Sequence, residues 1–95
     1  MKILVFGSNG LVGSSLKRIL PKFFKNEEII FSTRKDADLF SYIETENLIT
    51  HISPNIIINA AARVGGIYAN NTNRTDFLIE NLKINLNILE STKKL

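Results

Sequence analysis

The sequence predicts an α/β fold in which parallel strands alternate with helices, and three observations support this prediction. Short apolar runs at residues 3–6, 28–33 and 55–59 have the length and the β-branched content of buried strands. Stretches with helical apolar spacing separate these runs, as the connections between parallel strands require. A glycine-rich turn joins the first strand to the first helix. Together they indicate the first half of a doubly wound parallel sheet of the Rossmann type, with about four strands and their flanking helices.

The first strand, residues 3–6, runs directly into the glycine-rich turn, which reads GSNGLVG at residues 7–13. Gly7 permits a tight exit from the strand, Gly10 lets a pyrophosphate approach the backbone, and Gly13 lets the next helix pack close to the sheet. The amides in the first turn of that helix would stabilise an anion without a lysine. The pattern therefore predicts a dinucleotide site, and a tight turn that binds no ligand is the alternative.

Apolar residues at helical spacing predict the first helix after this turn. They are Val12, Leu16, Ile19, Leu20 and Phe23. Pro21 falls late in the pattern, so we expect it to bend or end the helix, with residues 22–26 as the exit. Ser14 and Ser15 follow Gly13 where a mononucleotide P-loop would have Lys and then Ser or Thr, which excludes that motif.

Arg34 and Lys35 follow the second strand, residues 28–33, at once. In a dinucleotide-binding domain this position contacts the adenosine ribose. An acidic side chain there accepts a hydrogen bond from the 2′-hydroxyl of NAD, whereas a cation pairs with the 2′-phosphate of NADP. Arg34 therefore favours NADP over NAD. Asp36 and Asp38 lie close by, and a carboxylate that reached the ribose would restore the preference for NAD.

The segment between the second and third apolar runs predicts one helix. Residues 38–40 form either a short strand or a turn. The helix follows at residues 42–52, and Pro54 stops it. His51 is the only histidine, and because the chain also lacks cysteine we predict no metal site.

The next strand, residues 55–59, ends in three small residues, Ala60, Ala61 and Ala62. Its apolar run is continuous, so we expect both of its faces to be covered. Small residues at the carboxyl end of a central parallel strand leave room for a ligand. Simple packing of the sheet against a loop would favour the same residues, and both interpretations stay open.

The last third of the chain predicts a loop followed by a helix. Residues 63–75 are polar, contain Gly65 and Gly66 and lack clear periodicity, so we expect a long functional loop. Residues 76–95 predict a helix with two apolar stripes, Ile79, Leu82, Leu86 and Leu89 on one side and Phe77, Ile84 and Ile88 on another. Such a helix should pack on the sheet and also against something else, such as a partner subunit.

Length and composition limit the chain to one small domain. Its 95 residues, 44% of them hydrophobic, suffice for a single core. They are too few to include also the later strands of a complete doubly wound sheet or a substrate region. We interpret residues 1–95 as the amino-terminal part of an NAD(P)-binding domain whose carboxyl-terminal substrate domain is absent. No apolar run approaches the roughly 20 residues of a membrane span, and the basic residues behind the +3 net charge are dispersed. We therefore expect neither a membrane nor a nucleic acid as partner, and the lack of cysteine favours a cytoplasmic location.

Several segments together resemble the GDP-L-fucose synthases, a family of extended short-chain dehydrogenase/reductases. The wide glycine spacing of residues 7–13 is typical of that superfamily, and the Thr33-Arg34 turn follows it. The most specific segment is AARVGGIYANNT at residues 61–72, followed by Asp76-Phe77 and Glu80-Asn81-Leu82. The resemblance covers essentially the whole chain, as the amino-terminal part of a much longer protein.

The resemblance implies a set of binding residues. Those for the cofactor NADP are Gly7, Ser8, Asn9, Gly10, Leu11, Val12 and Gly13 at the pyrophosphate, Arg34 at the 2′-phosphate, Asp38 and Leu39 at the adenine, and Ala60, Ala61 and Ala62 near the nicotinamide ribose. Those that border the sugar or support the active site are Val64, Gly65, Gly66, Asn71 and Asn81. The helix from Asp76 would form part of a homodimer interface.

The resemblance also implies a reaction for the complete protein. It would epimerise GDP-4-keto-6-deoxymannose at C3 and C5 and reduce the 4-ketone with NADPH. The family's catalytic Ser, Tyr-x-x-x-Lys pair, Cys and His lie beyond residue 95, so no catalytic residue is assigned. Tyr42 and Tyr68 are followed four positions later by Glu46 and Thr72, not by the lysine that the proton transfer needs.

Two expectations and two alternatives follow from the missing catalytic residues. We expect the 95-residue chain to be inactive alone. Because one strand of the sheet would have a bare apolar edge, we also expect the chain to be either an excerpt of a larger protein or a truncated product that associates or aggregates. The first alternative is another nucleotide-sugar epimerase or dehydratase of the superfamily. The second is a non-catalytic dinucleotide-binding module.

Overall fold

Strands and helices alternate along the whole of the described chain. The computed structural model describes residues 1–61 and 67–93, and for residues 67–78 it describes the helical backbone alone. The elements within these residues are β1 (Lys2–Phe6), α1 (Leu11–Phe23), β2 (Glu28–Phe31), α2 (Tyr42–Ile52), β3 (Ile56–Asn59) and α3 (Ile67–Thr92). The predicted α/β class is confirmed.

The three strands form one parallel sheet in the order β2-β1-β3. Leu4 of β1 lies opposite Ile30 of β2 on one side and Ile57 of β3 on the other. The order reverses at β1, because β2 pairs on one of its edges and the next strand in the chain pairs on the other edge. That reversal is the switch point at which open α/β sheets bind ligands beyond the carboxyl ends of their strands.

Helices cover both faces of the sheet, as a doubly wound fold requires. The alternate side chains of β1 divide the core in two. Ile3 and Val5 pack with Leu20 of α1 on one face. Leu4 and Phe6 face the other way, where they pack with residues of α2 and α3, namely Ile49, Ile84 and Ile88. β1 is therefore buried on both faces. This packing fixes the position of the turn that follows it.

Residues 38–40 form a turn, which decides between the two alternatives left open by the sequence. Ser41 N donates to Asp38 O at 2.9 Å, and Phe40 N donates to the Asp38 side chain at 3.0 Å. Ser41 then caps α2 by accepting from Glu44 N at 3.3 Å. The described residues thus contain three strands, one fewer than the approximate number predicted from the sequence.

The two outer strands are less buried than their apolar sequences predict. Ile56 in β3 is 40% exposed, and the other isoleucines of β3 are half-buried, so the expectation that both faces are covered is wrong. In the described part of the chain β3 pairs with β1 alone. An edge strand has a neighbour on only one side, which leaves its outer flank and its outer backbone groups uncovered.

The first helix ends later than its proline predicts. α1 continues two residues past Pro21 and ends at Phe23, where Phe24 N donates to Leu20 O at 2.9 Å. Proline removes one backbone hydrogen bond from a helix interior. Pro21 lies in the last turn, so only a short stretch of helix depends on the missing bond.

The third helix begins earlier than the sequence predicts. Residues 63–75 were expected to form a loop, but α3 already begins at Ile67 and runs to Thr92 rather than from residue 76 to residue 95. No glycine or proline interrupts residues 67–92. Once a helix is nucleated, each further residue adds a hydrogen bond at low cost, so the polar segment extends the apolar helix that follows it.

The two apolar stripes predicted for α3 have different environments. Ile84 and Ile88 are buried against the sheet and α2, at 5% and 6% exposure. The other stripe remains on the surface and consists of Ile79, Leu82, Leu86 and Leu89, at 45–61% exposure. The prediction that α3 is apolar on a second face as well as on the sheet side is therefore confirmed for these residues. None of the described helices is long and apolar enough to span a bilayer.

Candidate functional site

A cleft opens at the carboxyl end of β1, between the segments that follow β2 and β3. Its volume is about 420 Å³. It is lined by Phe6, Gly7, Asn9, Gly10, Ser32, Thr33, Arg34, Ala37, Asp38, Leu39, Phe40, Ala60, Ala61 and Ile84. The cleft lies at the switch point of the sheet, where the doubly wound fold predicts a ligand.

The strand-to-helix turn closes one side of the cleft and depends on Gly7. Gly7 has φ of +74°, a conformation that other residues rarely adopt. A Cβ on Gly7 would lie 2.6 Å from Ala60 C and from Ala61 N. The turn after β1 therefore touches the backbone that follows β3, and a side chain at position 7 would push the two apart.

The other two glycines of the turn differ in what surrounds them. A Cβ on Gly13 would lie 1.9 Å from Gly7 O and 2.8 Å from Ser8 Cα, so α1 can approach the turn only because position 13 has no side chain. A Cβ on Gly10 would meet Gly7 O at 3.4 Å and has open space elsewhere. Gly13 is thus required by packing within the chain, whereas Gly10 leaves space that opens onto the cleft.

The amino terminus of α1, where the sequence predicts a bound anion, has no capping side chain. Gly10 is the N-cap and provides no side-chain hydrogen bond to the helix, and no acidic residue occupies the first turn. The amides of the first turn have no partner within a helix, and here no capping side chain satisfies them. Together with the helix dipole they favour a phosphate group at this point.

Ser8 supports the turn from inside. Its side chain is buried, and its Oγ donates to Val5 O at 3.1 Å. Its backbone N donates to Ser32 O at 3.1 Å, which joins the turn to the end of β2. Ser8 therefore uses its hydroxyl to hold the turn in shape, and it does not line the cleft.

The charged side chains that follow β2 differ in whether they line the cleft. Arg34 is exposed and lines it. Asp36 does not line it, because its Oδ2 accepts from Thr33 N at 2.8 Å and closes the turn after β2. Asp38 lines the cleft, but its Oδ1 accepts from Phe40 N. Of the two carboxylates that could favour NAD, one is directed into its own turn and the other is partly engaged.

The structure brings most of the predicted cofactor residues together. Those that line the cleft are Gly7, Asn9, Gly10, Arg34, Asp38, Leu39, Ala60 and Ala61. Those that do not are Ser8 and Gly13, which support the turn, and Leu11 and Val12, whose exposed side chains extend from the first turn of α1. Leu11 and Val12 can therefore contact a ligand here through their amides.

The predicted sugar-side residues are less fully described. Ala62, Val64, Gly65 and Gly66 lie outside the described residues, and for Asn71 only its place in α3 is described. Asn81 lies in α3 and is half-buried.

Six of the residues that line the cleft were not predicted to be there, namely Phe6, Ser32, Thr33, Ala37, Phe40 and Ile84. Thr33 directly precedes Arg34 and Phe40 directly follows Leu39 in the chain, and this position next to predicted cofactor residues could have indicated both. Ile84 comes from α3 and forms part of the base of the cleft. Its membership in the buried stripe of α3 predicted contact with the sheet, but the sequence contains no signal for contact with the cleft.

Comparison with known proteins gives consistent matches over the whole chain. The model of the NAD dependent epimerase/dehydratase family matches residues 3–95. The chain is 40% identical over 91 residues to the probable GDP-L-fucose synthase of Drosophila melanogaster, a match that covers 95% of this chain and 28% of that protein. It is 38% identical over 93 residues to the GDP-L-colitose synthase of Yersinia pseudotuberculosis, covering 98% and 30% of the two chains.

A solved structure has the same fold. The GDP-L-fucose synthetase of Naegleria fowleri, in a crystal structure bound to NADP, shares 31% identity with this chain. The two superpose with a TM-score of 0.78 over 95% of this chain and 29% of that one. These matches agree with the resemblance found in the sequence. The chain spans 28–30% of the length of these three relatives.

Proposed function

The chain belongs to the NAD-dependent epimerase/dehydratase family, and we propose that it is the cofactor-binding part of an NADP-dependent epimerase-reductase that acts on a GDP-sugar. One observation carries the cofactor assignment. The uncapped amino terminus of α1, a glycine with open space and an arginine line a single cleft at the switch point of the sheet. These are the contacts that the pyrophosphate and the 2′-phosphate of NADP require.

The residues of the cleft suit a dinucleotide in their chemistry. The open space at Gly10 would take the pyrophosphate, which the first-turn amides of α1 would bind. Asp38 and Leu39 would border the adenine, and Ala60 and Ala61 would border the nicotinamide ribose. When bound, NADPH supplies a hydride. The described residues of this chain would bind the cofactor and orient it, and the carboxylate of Asp36 does not line the cleft.

The preference for NADP over NAD rests on the charges after β2. Arg34 is free to reach a 2′-phosphate from the rim of the cleft, and a guanidinium pairs well with phosphate oxygens. Discrimination in favour of NAD would need a carboxylate at the ribose hydroxyls. Asp36 is held by Thr33, so it is poorly placed for that role.

Replacing Arg34 by alanine is expected to weaken NADPH binding at least about tenfold and to leave NADH binding nearly unchanged. A charge-assisted hydrogen bond contributes about 1.5–3 kcal/mol, and only NADPH carries the phosphate that would lose it. The dissociation constants of both cofactors can be measured by calorimetry. Lys35→Ala is the matched control, because Lys35 is the neighbouring cation but does not line the cleft. Equal losses for both cofactors in Arg34→Ala would contradict this role.

The reaction proposed for the complete protein follows the relatives. Two of them are named as GDP-L-fucose synthases, which supports epimerisation of GDP-4-keto-6-deoxymannose and reduction of its 4-ketone. We propose that this chain does not perform the reaction alone, because neither of its tyrosines is followed by the lysine of a Tyr-x-x-x-Lys pair. A related GDP-sugar reductase is the second candidate, favoured by the match to a GDP-L-colitose synthase.

We also propose that the complete protein is a homodimer that uses the outer face of α3. The stripe of Ile79, Leu82, Leu86 and Leu89 is exposed over three turns of helix, and exposed apolar patches of this kind are typical of interfaces. Light scattering of the complete protein tests this proposal. A mass of two chains is expected, and a single-chain mass at micromolar concentration would contradict it.

A further inference from the structure

Two asparagine side chains tie the carboxyl end of β3 to α3. Asn59 Nδ2 donates to Asn85 Oδ1 at 2.8 Å. Asn59 Oδ1 accepts from Ala61 N at 2.9 Å. One side chain therefore contacts both the helix and the backbone that forms the wall of the cleft at Ala60 and Ala61.

The contact between Asn59 and Ala61 lies where the hydrogen bonds between β3 and β1 end. The pairing of β3 with β1 ends at Asn59, which lies opposite Phe6, and Ala60 N makes the last bond to β1, to Phe6 O at 3.0 Å. Ala61 itself lies beyond the end of β3. The Asn59 side chain therefore supplies a hydrogen bond to Ala61 N at the point where strand pairing stops supplying one.

The position of Ala61 matters because the wall is in close contact with the glycine turn. A Cβ on Gly7 would lie only 2.6 Å from Ala61 N, so the space between the two backbones cannot hold even a methyl group. A displacement of Ala61 would move the wall of the cleft relative to Gly7 and to Gly10, where the pyrophosphate is proposed to bind.

α3 makes a second connection, to the opposite wall. Asn87 Nδ2 donates to Leu39 O at 2.8 Å, and Leu39 lines the cleft beside Asp38. Ile84 of the same helix lines the base. Residues 84–87 of α3 therefore connect to three parts of the site. Ile84 lines the cleft itself, Asn85 accepts from Asn59, which holds the wall at Ala61, and Asn87 donates to Leu39 in the other wall.

We propose that Asn59 and Asn85 form a positioning pair and that α3, through this pair and Asn87, sets the width of the cofactor cleft. The inference rests on the proposed binding of NADP. Asn59 acts on the nicotinamide side through Ala61, and Asn87 acts on the adenine side through Leu39. None of the three asparagines lines the cleft, so their effect on the cofactor is indirect.

A cycle of aspartate substitutions tests the pair without removing side-chain volume. In Asn59→Asp the carboxylate still accepts from Ala61 N, and the Asn85 amide can turn to donate to it. In Asn85→Asp the carboxylate accepts from Asn59 Nδ2 as the amide oxygen did. The double variant leaves two acceptors and two like charges facing each other, which separates the pair. Effects of charge on the cofactor that are independent of the pair cancel in the cycle.

We expect each single variant to bind NADPH within about threefold of the wild type, apart from any direct effect of its charge. The double variant should bind about tenfold more weakly than the product of the two single effects predicts. The second ligand is 2′,5′-ADP, which carries the adenosine half of NADP without the nicotinamide. Its affinity should show no such coupling, because it does not reach the wall at Ala61.

Each outcome decides the inference. Coupling for NADPH alone supports it, whereas no coupling for either ligand overturns it. Equal coupling for both ligands indicates a general structural role and also overturns it. Failure of the folded, soluble wild-type chain to bind NADPH refutes the proposed function, and this inference falls with it. If the double variant does not fold, Asn85→Leu replaces it. That change removes the side-chain amide at an exposed helix position, and with it the acceptor for Asn59 Nδ2, and it should weaken NADPH more than 2′,5′-ADP.

Asn87→Leu tests the other wall with the same two ligands. It removes the donor to Leu39 O and keeps a side chain of similar size. We expect it to weaken 2′,5′-ADP and NADPH by the same factor, about threefold to tenfold. Unchanged affinity for 2′,5′-ADP would remove Asn87 from the proposal.

Discussion

Replacing Gly13 by alanine is expected to lower the free energy of unfolding of the domain by about 4 kcal/mol or more, a large part of the stability of a domain of this size. The added Cβ would lie 1.9 Å from Gly7 O, 2.7 Å from Gly7 C and 2.8 Å from Ser8 Cα. All three neighbours are backbone atoms of a turn that is held to β1 and β2 by Ser8. The clash therefore cannot be relieved by rotating a side chain, and α1 must move away from the sheet. The free energy of unfolding can be measured by urea denaturation followed by circular dichroism.

The matched control is Gly10→Ala in the same motif. Its Cβ would meet a single atom, Gly7 O, at 3.4 Å, which is an ordinary contact. Gly10 has φ of −77°, which alanine adopts without strain. The control should therefore unfold within about 1 kcal/mol of the wild type. Equal stabilities of the two variants would contradict the packing role assigned to Gly13.

Gly10→Ala is in turn expected to abolish NADPH binding at concentrations that saturate the wild type. The new methyl group would fill the open space next to the first-turn amides of α1, where the pyrophosphate is proposed to bind. Overpacking costs about 1–3 kcal/mol, and a displaced charge-assisted hydrogen bond costs about 1.5–3 kcal/mol more. The sum corresponds to a loss of affinity of about a hundredfold or more.

Calorimetric titration with NADPH measures this loss on a protein that circular dichroism shows to be folded. Ser15→Ala is the control for a change in the same helix, because Ser15 Oγ donates to Leu11 O along the helix and does not line the cleft. It should bind NADPH like the wild type. Full affinity in Gly10→Ala would mean that no ligand comes close to this part of the backbone.

The sequence predicted the first half of the chain closely because local signals there agree with the tertiary structure. The glycine turn, the central strand and the helix at Tyr42–Ile52 all lie where the spacing of apolar residues and the turn residues indicate. Arg34 lines the cleft, as its position shortly after the second strand predicted, and its contact with a 2′-phosphate stays a prediction.

Other features depend on contacts that are distant in sequence. The helical backbone from Ile67 to residue 75 was predicted as a loop, because polar residues without periodicity look like a loop even when a strong helix follows them. The partial exposure of Ile56 depends on which strands flank β3, and apolar content says nothing about a strand's neighbours.

The links between α3 and the cleft are the least predictable part of the site. Asn59 and Asn85 are 26 residues apart in the chain, and each is an ordinary polar residue in its own element. Their pairing follows from the packing of α3 across the end of β3. Only the structure could bring them together.

The most direct test of the account is a calorimetric titration of the purified 95-residue chain with NADPH and with NADH in the same buffer. Saturable binding with NADPH clearly preferred is the predicted result, because the amides of α1 bind the pyrophosphate of both cofactors and Arg34 adds a contact to the 2′-phosphate of one. A folded, soluble chain that binds neither cofactor would contradict the central claim that this cleft is an NADP site.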